Sequence, residues 1–233
     1  MDVLHLTSRK RETYEVRIEA SLLWECALGI AAITNRKLID TLEKPKESWD
    51  HLTKSLSEPL IEDLKMVEKN NTWKSLLLLL HQSEFRDLSE FILFIDALGD
   101  EKLRFICIPY IGMKFQELRM HASEGEESSR NSLKKQTENN PFFPDYIDFI
   151  CTTNIHDLRK HLTSVMTRWY EEVIIPQKET LSQILSRDKQ SKEKMCGNLK
   201  SEAMVEWATG GITYLPEPSV HTVLLIPQSI YRP

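Results

Sequence analysis

The sequence predicts a mostly α-helical (α+β) fold, a helical domain with a small β-sheet built from strands near the two ends. Three observations carry this. Helical periodicity, with apolar residues at steps of three and four, runs through most of residues 19–208. Glycine is scarce, 7 in 233 residues, while Leu, Glu, Lys and Ser abound, a profile of helices rather than of a β-sandwich. Alternating, β-prone runs occur only near the ends: T-Y-E-V-R-I at 13–18, and two apolar runs at 212–215 and 220–226.

The first run, 13–18, is expected to be a strand. Arg17 on it could line a site, but pairing with the C-terminal runs is the simpler use of such a segment. Residues 19–34 form an apolar helix in which Leu22, Leu23, Cys26, Ala27, Ile30 and Ile33 share one stripe. Ala and Gly29 on it allow a close neighbour, and Trp24 lies off the stripe. Lys44-Pro45-Lys46 breaks the chain before a short helix at 47–56. Ser57 caps the next, which begins Glu58-Pro59, because proline is tolerated in a first helical turn. Asn70-Asn71 punctuates. The stretch 72–81, with W-K-S-L-L-L-L-L-H, is apolar nearly all round and belongs at the centre of a helical domain.

Asp87-Leu88-Ser89-Glu90 is a capping-box pattern. The helix that follows should end at Gly99 in the manner of a C-terminal glycine. Residues 101–113 read as two short helices broken at Pro109. Residues 122–140 are almost wholly polar, with Leu133 their single large aliphatic, and read as a linker or a solvated helix. They divide the chain into a strand and helical subdomain at 1–121, the polar stretch at 122–140, and long helices with a strand pair at 141–233. Asn154 opens the longest helical signal, interrupted or kinked at Pro176. The charged stretch 187–194 reads as a solvated helix end. Gly210-Gly211 closes the last helix, and Pro216-Glu217-Pro218 joins the two final β runs as a turn. The apolar faces of 22–33, 76–80 and 158–169 are expected to share one core.

Composition bounds function without deciding it. A formal charge of −5 gives no electrostatic reason to expect nucleic acid on these residues directly. The four cysteines are single and widely spaced, as in reduced thiols of a cytosolic protein, and no apolar leader or membrane-length run occurs, so the expected address is cytoplasmic. His156 and His161, five apart, project about 140 degrees apart on a helix, which is poor geometry for one metal. No zincin, nucleophile-elbow, Walker or dinucleotide motif is present. The reading is therefore no catalytic residues, no metal and no cofactor. Cys26, Cys107 and Cys151 sit in apolar runs and read as core. Aromatics are dense among the aliphatic helices, and a ligand cavity near Trp24, Tyr146, Trp169 and Tyr170, with Arg168 or Glu171 as a polar handle, is expected from that density.

The final stretch, L-P-E-P-S-V-H-T-V-L-L-I-P-Q-S-I-Y-R-P, resembles the segment preceding the C-terminal helix-turn-helix in bacterial ArsR-like winged-helix transcriptional regulators. Leu215-Pro216-Glu217-Pro218, Val220, Pro227 and Tyr231-Arg232-Pro233 carry the likeness, about a tenth of the chain; W-E-C-A-L-G near the start is compatible. The resemblance implies the N-terminal regulatory region of a cytoplasmic repressor, which senses a small apolar ligand or forms a homodimer, with DNA bound only through a winged helix outside these residues. A chain ending straight after an apolar strand is consistent with a piece of a longer protein. The paired-cysteine metal site of the arsenical and metal sensors has no counterpart here. Two other classes stand beside this reading: an enzyme using a cavity between helices, and a scaffold that only holds a dimer together.

Overall fold

The computed structural model describes residues 14–35, 45–215 and 220–229. Its described elements are twelve α-helices and two strands, joined by short 3-10 and π turns, so the mostly helical class with a small sheet is what the sequence predicts. The described chain forms two compact units, Leu22–Lys178 on the one hand and the strand residues up to Ser21 with Glu179–Ser229 on the other.

The larger unit is all helical. α1 (Leu22–Ile33) buries nine of its twelve residues, so it is packed on nearly every side. It touches α4 (Trp73–Leu80) and α10 (Ile155–Trp169), and α4 touches α10, so the three apolar faces do meet in one core. Ile30, Leu76, Leu79, Leu158, Leu162 and Val165 are fully buried there. α2 (Lys46–Ser55) buries Trp49 alone. α3 (Glu58–Asn70) packs on α10, and Asn71 ends it in the left-handed region at φ 55°. α5 (Leu88–Ala97) also packs on α10. α6 (Asp100–Cys107), α7 (Gln116–Ser123), α8 (Glu127–Gln136) and α9 (Phe143–Thr152) form a chain of neighbours in sequence order, α9 returning to touch α3 and α6. The polar stretch thus contains a true helix, α8, whose single large aliphatic residue, Leu133, is fully buried.

Helix starts follow short-range rules. Ser57 accepts a hydrogen bond from Leu60 N, Asp87 from Glu90 N at 2.9 Å, and Asn154 from His156 N at 2.9 Å. The box at Asp87 is varied: the Glu90 carboxylate accepts from Arg86 N at 2.8 Å, one residue before the cap. The Ser57 cap has a distant partner too, since the Glu172 carboxylate accepts from Ser57 N at 2.8 Å and from its hydroxyl at 2.6 Å.

Some helix ends close differently, and at Gly99 the sequence reading needs correction. Gly99 is not a left-handed terminator of α5; its φ of −61° and ψ of 152° make it the N-cap of α6. The carbonyls at the end of α5 are instead satisfied by Arg159 of α10, which donates to Ile95 O and, at 2.9 Å, to Leu98 O. The same device recurs twice. Arg104 donates to Ile150 O at 2.5 Å and Thr153 O at 2.8 Å at the end of α9. Arg119 donates to Phe105 O at 3.0 Å and Ile108 O at 2.7 Å at the end of α6. The planar guanidinium reaches two carbonyls at once, which a glycine cap does with its own backbone.

Pro109 does stop α6, with Ile108 driven to extended backbone as a pre-proline residue must be, but only a 3-10 turn at Met113–Phe115 follows before α7, not a second α-helix across 101–113. Pro176 perturbs the long helical run as expected: α10 passes into a π turn at Tyr170–Ile174 and a 3-10 turn at Ile175–Gln177 before α11 (Lys178–Cys196).

The smaller unit holds β1 (Glu15–Ile18), α11, α12 (Ser201–Thr209) and β2 (Thr222–Leu225). β1 and β2 pair in parallel, Glu15 opposite Thr222 through Ile18 opposite Leu225. Backbone bonds from Glu15 N to His221 O (2.9 Å) and Glu19 N to Leu225 O (3.0 Å) extend the ladder. α12 covers β1. Gly210 (φ 73°) and Gly211 (φ 127°) end α12 in conformations open to glycine. The run 212–215 is not a strand. Thr209 Oγ1 accepts from Ile212 N at 3.0 Å, Ile212 and Leu215 are each 57% exposed, and the Tyr214 carbonyl accepts from the buried Tyr14 hydroxyl at 2.9 Å. With these bonds in place the run is not paired as a strand, and among the described residues β2 pairs alone with β1. The linking Pro216-Glu217-Pro218, the closing Tyr231-Arg232-Pro233 and the start of the first strand at Thr13 lie outside the described residues, as does Lys44.

Candidate functional site

Among the described residues no three His, Cys, Asp or Glu side chains gather as a metal would need, and no helix is long and apolar enough to cross a membrane. The four aromatics singled out from sequence are all buried, each with its own surroundings. Trp24 meets His81 edge-on at 4.8 Å. Tyr146 donates to the Cys107 carbonyl at 2.5 Å and shares a 2.9 Å hydrogen bond with Ser75. Trp169 fills the space over Gly29. Tyr170 opens the π turn, near enough to Cys26 for that thiol to push its pKa up after burial has done most of it. Of the two handles, Arg168 is held by Asp63, while Glu171 is exposed.

The core around them is more polar than an aliphatic sequence pattern suggests. His161 is buried, because its i−3 and i+4 neighbours, Leu158 and Val165, place it on the inward face of α10. Its Nε2 lies 2.7 Å from the Thr72 hydroxyl, and its Nδ1 has no partner among the described residues. Burial pulls its pKa down to about 4, against a small upward pull from Asp63, so it is a neutral imidazole at pH 7. Cys107 and Cys151 are pushed up to about 12 and about 11 by burial, and Cys26 well above its ordinary value. These three thiols are therefore protonated and poor nucleophiles, which agrees with their reading as core.

A larger opening lies away from these aromatics. A cavity of about 560 Å³ is lined by Ile33 and Thr34 at the end of α1, by Lys46, Trp49, Asp50 and Thr53 of α2, and by Ile61, Leu64, Lys65 and Glu68 of α3. Small-molecule sites span roughly 300–1,000 Å³. Its floor is apolar and its rim charged. Trp49 is 3% exposed and is the only residue by which α2 is buried, yet its indole N–H finds no acceptor among the described residues. A second, shallower opening of about 360 Å³ lies by Ile111, Gln136, Asn140 and Phe143. Neither is lined by Trp24, Tyr146, Trp169 or Tyr170.

Sequence reasoning missed the α2 cavity. One signal was available. Trp49 is the only large aromatic of K-E-S-W-D-H-L-T-K-S, which is otherwise polar but for Leu52, and a lone tryptophan on a charged helix must bury itself on something. What it buries on comes from two other helices, which periodicity does not reveal. Comparison with protein-family models, with curated proteins and with solved structures finds no match.

Proposed function

We propose that this chain is the regulatory, N-terminal region of a bacterial ArsR-like winged-helix transcriptional regulator, and that it does not itself bind DNA. The observation that carries the reading is the resemblance of residues 215–233 to the segment that leads into the winged helix in that group. Part of that segment is β2, which is tied to β1 by a parallel ladder. A strand so tied is a firm base for a following domain. The basic residues of α11 support the second half of the reading. Lys192 pairs with Asp188 at 2.5 Å and Lys189 with Glu193 at 3.6 Å, so these charges are answered within their own helix rather than offered to phosphates.

The test is a gel shift on the promoter region upstream of the coding sequence, with this chain and with the longer polypeptide read through the downstream frame. The longer polypeptide should bind with sequence specificity and salt sensitivity, and this chain should not. Specific binding by this chain, or a downstream frame without a helix-turn-helix, overturns the reading.

A second reading, a scaffold that only dimerises, has one observation in its favour. Trp207 (46% exposed), Ile212 and Leu215 expose large apolar surface within a short stretch of the smaller unit. Sedimentation of the Trp207→Ser variant tests it: a dimer lost on this change favours the scaffold, and a dimer that persists, or a monomer throughout, removes it.

A further inference from the structure

We propose that the cavity between α1, α2 and α3 is the binding site for a small, neutral, amphipathic molecule: an apolar body with a hydroxyl or amide head. Three properties of the lining select that class. The apolar surface of Ile33, Ile61 and Leu64 suits a hydrocarbon or aromatic body. The charged groups are Lys46 and Lys65 against Asp50 and Glu68, two of each sign, so the lining as a whole favours neither an anion nor a cation. Lys65 is further engaged by Glu62 at 2.6 Å.

The uncharged polar groups set the head. The Trp49 indole can only donate, and it has no acceptor. The two threonines have spent their donors on their own helices. Thr34 Oγ1 donates to Ile30 O at 2.7 Å, and Thr53 Oγ1 donates to Trp49 O at 2.8 Å. Each hydroxyl oxygen keeps a lone pair, so the lining offers two acceptors, and the shielded Trp49 donor joins them only when α2 shifts. A group that both accepts and donates, a hydroxyl or a primary or secondary amide, matches that set; a carboxylate or an ether, which only accept, do not.

A built reason exists for the orphan donor. A buried N–H without a partner disfavours the empty state, and a ligand that supplies the acceptor recovers that loss on binding. The Trp49 nitrogen is shielded from water in the empty state, so admission requires α2 to shift. α2 is suited to that, because Trp49 is its only buried residue. A bound molecule would then fix α2 against α1 and α3. Binding here does not require the parent protein to regulate transcription; only the site's role as an effector site rests on that reading.

The probe is 4-ethylphenol, with ethylbenzene (no head) and 4-ethylbenzoate (an anionic head) as controls. The chain has five tryptophans, so the uniformly ¹⁵N-labelled protein gives one indole N–H signal for each, and Trp49→Phe identifies the signal of Trp49. The Trp49 signal should move saturably with 4-ethylphenol while the others stay. Ethylbenzene and 4-ethylbenzoate should bind at least about tenfold more weakly, since neither satisfies both the donor and the acceptors. Ile61→Phe, which fills the apolar floor, should abolish the shift, and Thr53→Val should weaken binding of 4-ethylphenol but not of ethylbenzene. The unmoved indole signals of the other tryptophans report that each variant is folded. No saturable shift of Trp49 up to the solubility limit of 4-ethylphenol overturns the proposal. So does an unchanged shift in folded Ile61→Phe, and so does equal binding of 4-ethylphenol and ethylbenzene. None of these outcomes bears on the gel shift, so the two proposals fail separately.

Discussion

The indole of Trp169 occupies the space in which a side chain at Gly29 would begin. A Cβ at Gly29 would lie 3.0–3.2 Å from three atoms of the ring. The indole is rigid and fully buried, so it cannot give as the end of a flexible chain can. Gly29 thus lets α1 approach the indole at the end of α10 closely. On an exposed helix Gly→Ala would stabilise by about 1 kcal/mol. Here Gly29→Ala is expected to destabilise, by about 1–3 kcal/mol of overpacking. Urea unfolding followed by tryptophan fluorescence measures it; a gain in stability would mean the helices separate without cost.

The core formed by α1, α4 and α10 predicts a graded response in one helix. Leu76 and Leu79 are fully buried, and so is Leu162 of α10, while Leu78 is half-buried. Truncating Leu76, Leu79 or Leu162 to Ala should cost about 2–5 kcal/mol. Leu78→Ala should cost clearly less. Equal losses at Leu76 and Leu78 in denaturant titrations would contradict this packing.

The starts capped by Ser57, Asp87 and Asn154 were legible in the sequence, as were the ends at Asn71 and Gly210, but the ends of α5 and α9 were not, for a physical reason. A cap at Ser57, Asp87 or Asn154 is a bond to a neighbour two or three residues on, so its signal is local. The ends of α5, α6 and α9 are closed by arginines, and those at α5 and α9 come from far along the chain, as Arg159 to Ile95 (64 apart) and Arg104 to Ile150 (46 apart) show. No window of sequence contains both partners. The same holds for the candidate site. Aromatic density suggested a ligand cavity near Trp24, Tyr146, Trp169 and Tyr170; all four are buried, but whether buried rings close on each other or on an opening depends on several helices at once. At the C-terminal strands, β propensity was read correctly at 222–225 and over-read at 212–215, where the Thr209 hydroxyl and the Tyr14 hydroxyl claim the backbone first.

The arginine caps make a prediction of their own. Arg159 is largely buried, with 16% of its side chain exposed, and holds Ile95 O, Leu98 O and Asp100. Arg159→Met keeps the stem, removes the donor to Leu98 O and leaves Ile95 O with only the Leu98 N–H, at a cost of about 1–3 kcal/mol. Arg159→Lys should recover only part of this, because an ammonium cannot span two carbonyls as the planar fork does. Full recovery by lysine in thermal unfolding would show that charge, not geometry, closes the helix.

His161 makes stability depend on pH. Its ordinary pKa is near 6.5 and burial lowers it to about 4 in the folded chain. Between those values the unfolded chain binds the proton and the folded chain does not, so folding is favoured less as pH falls. The contribution is fully present above pH 6.5 and is lost as pH falls through about 6.5 to about 4. At pH 5 the loss should be about 2 kcal/mol relative to neutral pH. His161→Gln should remove this component while keeping a hydrogen-bonding side chain opposite Thr72. An unchanged slope of stability against pH in that variant would place the dependence elsewhere.

The parallel pair of strands is tied beside the ladder by one side chain. Tyr14 is 1% exposed, its ring lies 5.6 Å from that of Tyr214, and its hydroxyl donates to the Tyr214 carbonyl. Two strands alone are marginal in water, so β1 and β2 depend on what packs around them. Tyr14→Phe keeps the ring and leaves that carbonyl without its donor, which should cost about 1 kcal/mol. Tyr14→Ala also removes the ring and should cost about 3–5 kcal/mol, the scale for a buried aromatic. Amide exchange separates the two effects. In Tyr14→Phe the amides of Glu15 and Glu19, which donate to His221 O and Leu225 O, should stay protected. In Tyr14→Ala they should exchange faster, because the residue next to Glu15 loses its buried ring and its contact with Tyr214. Undiminished protection in Tyr14→Ala would mean that the ladder is held by α12 without help from Tyr14.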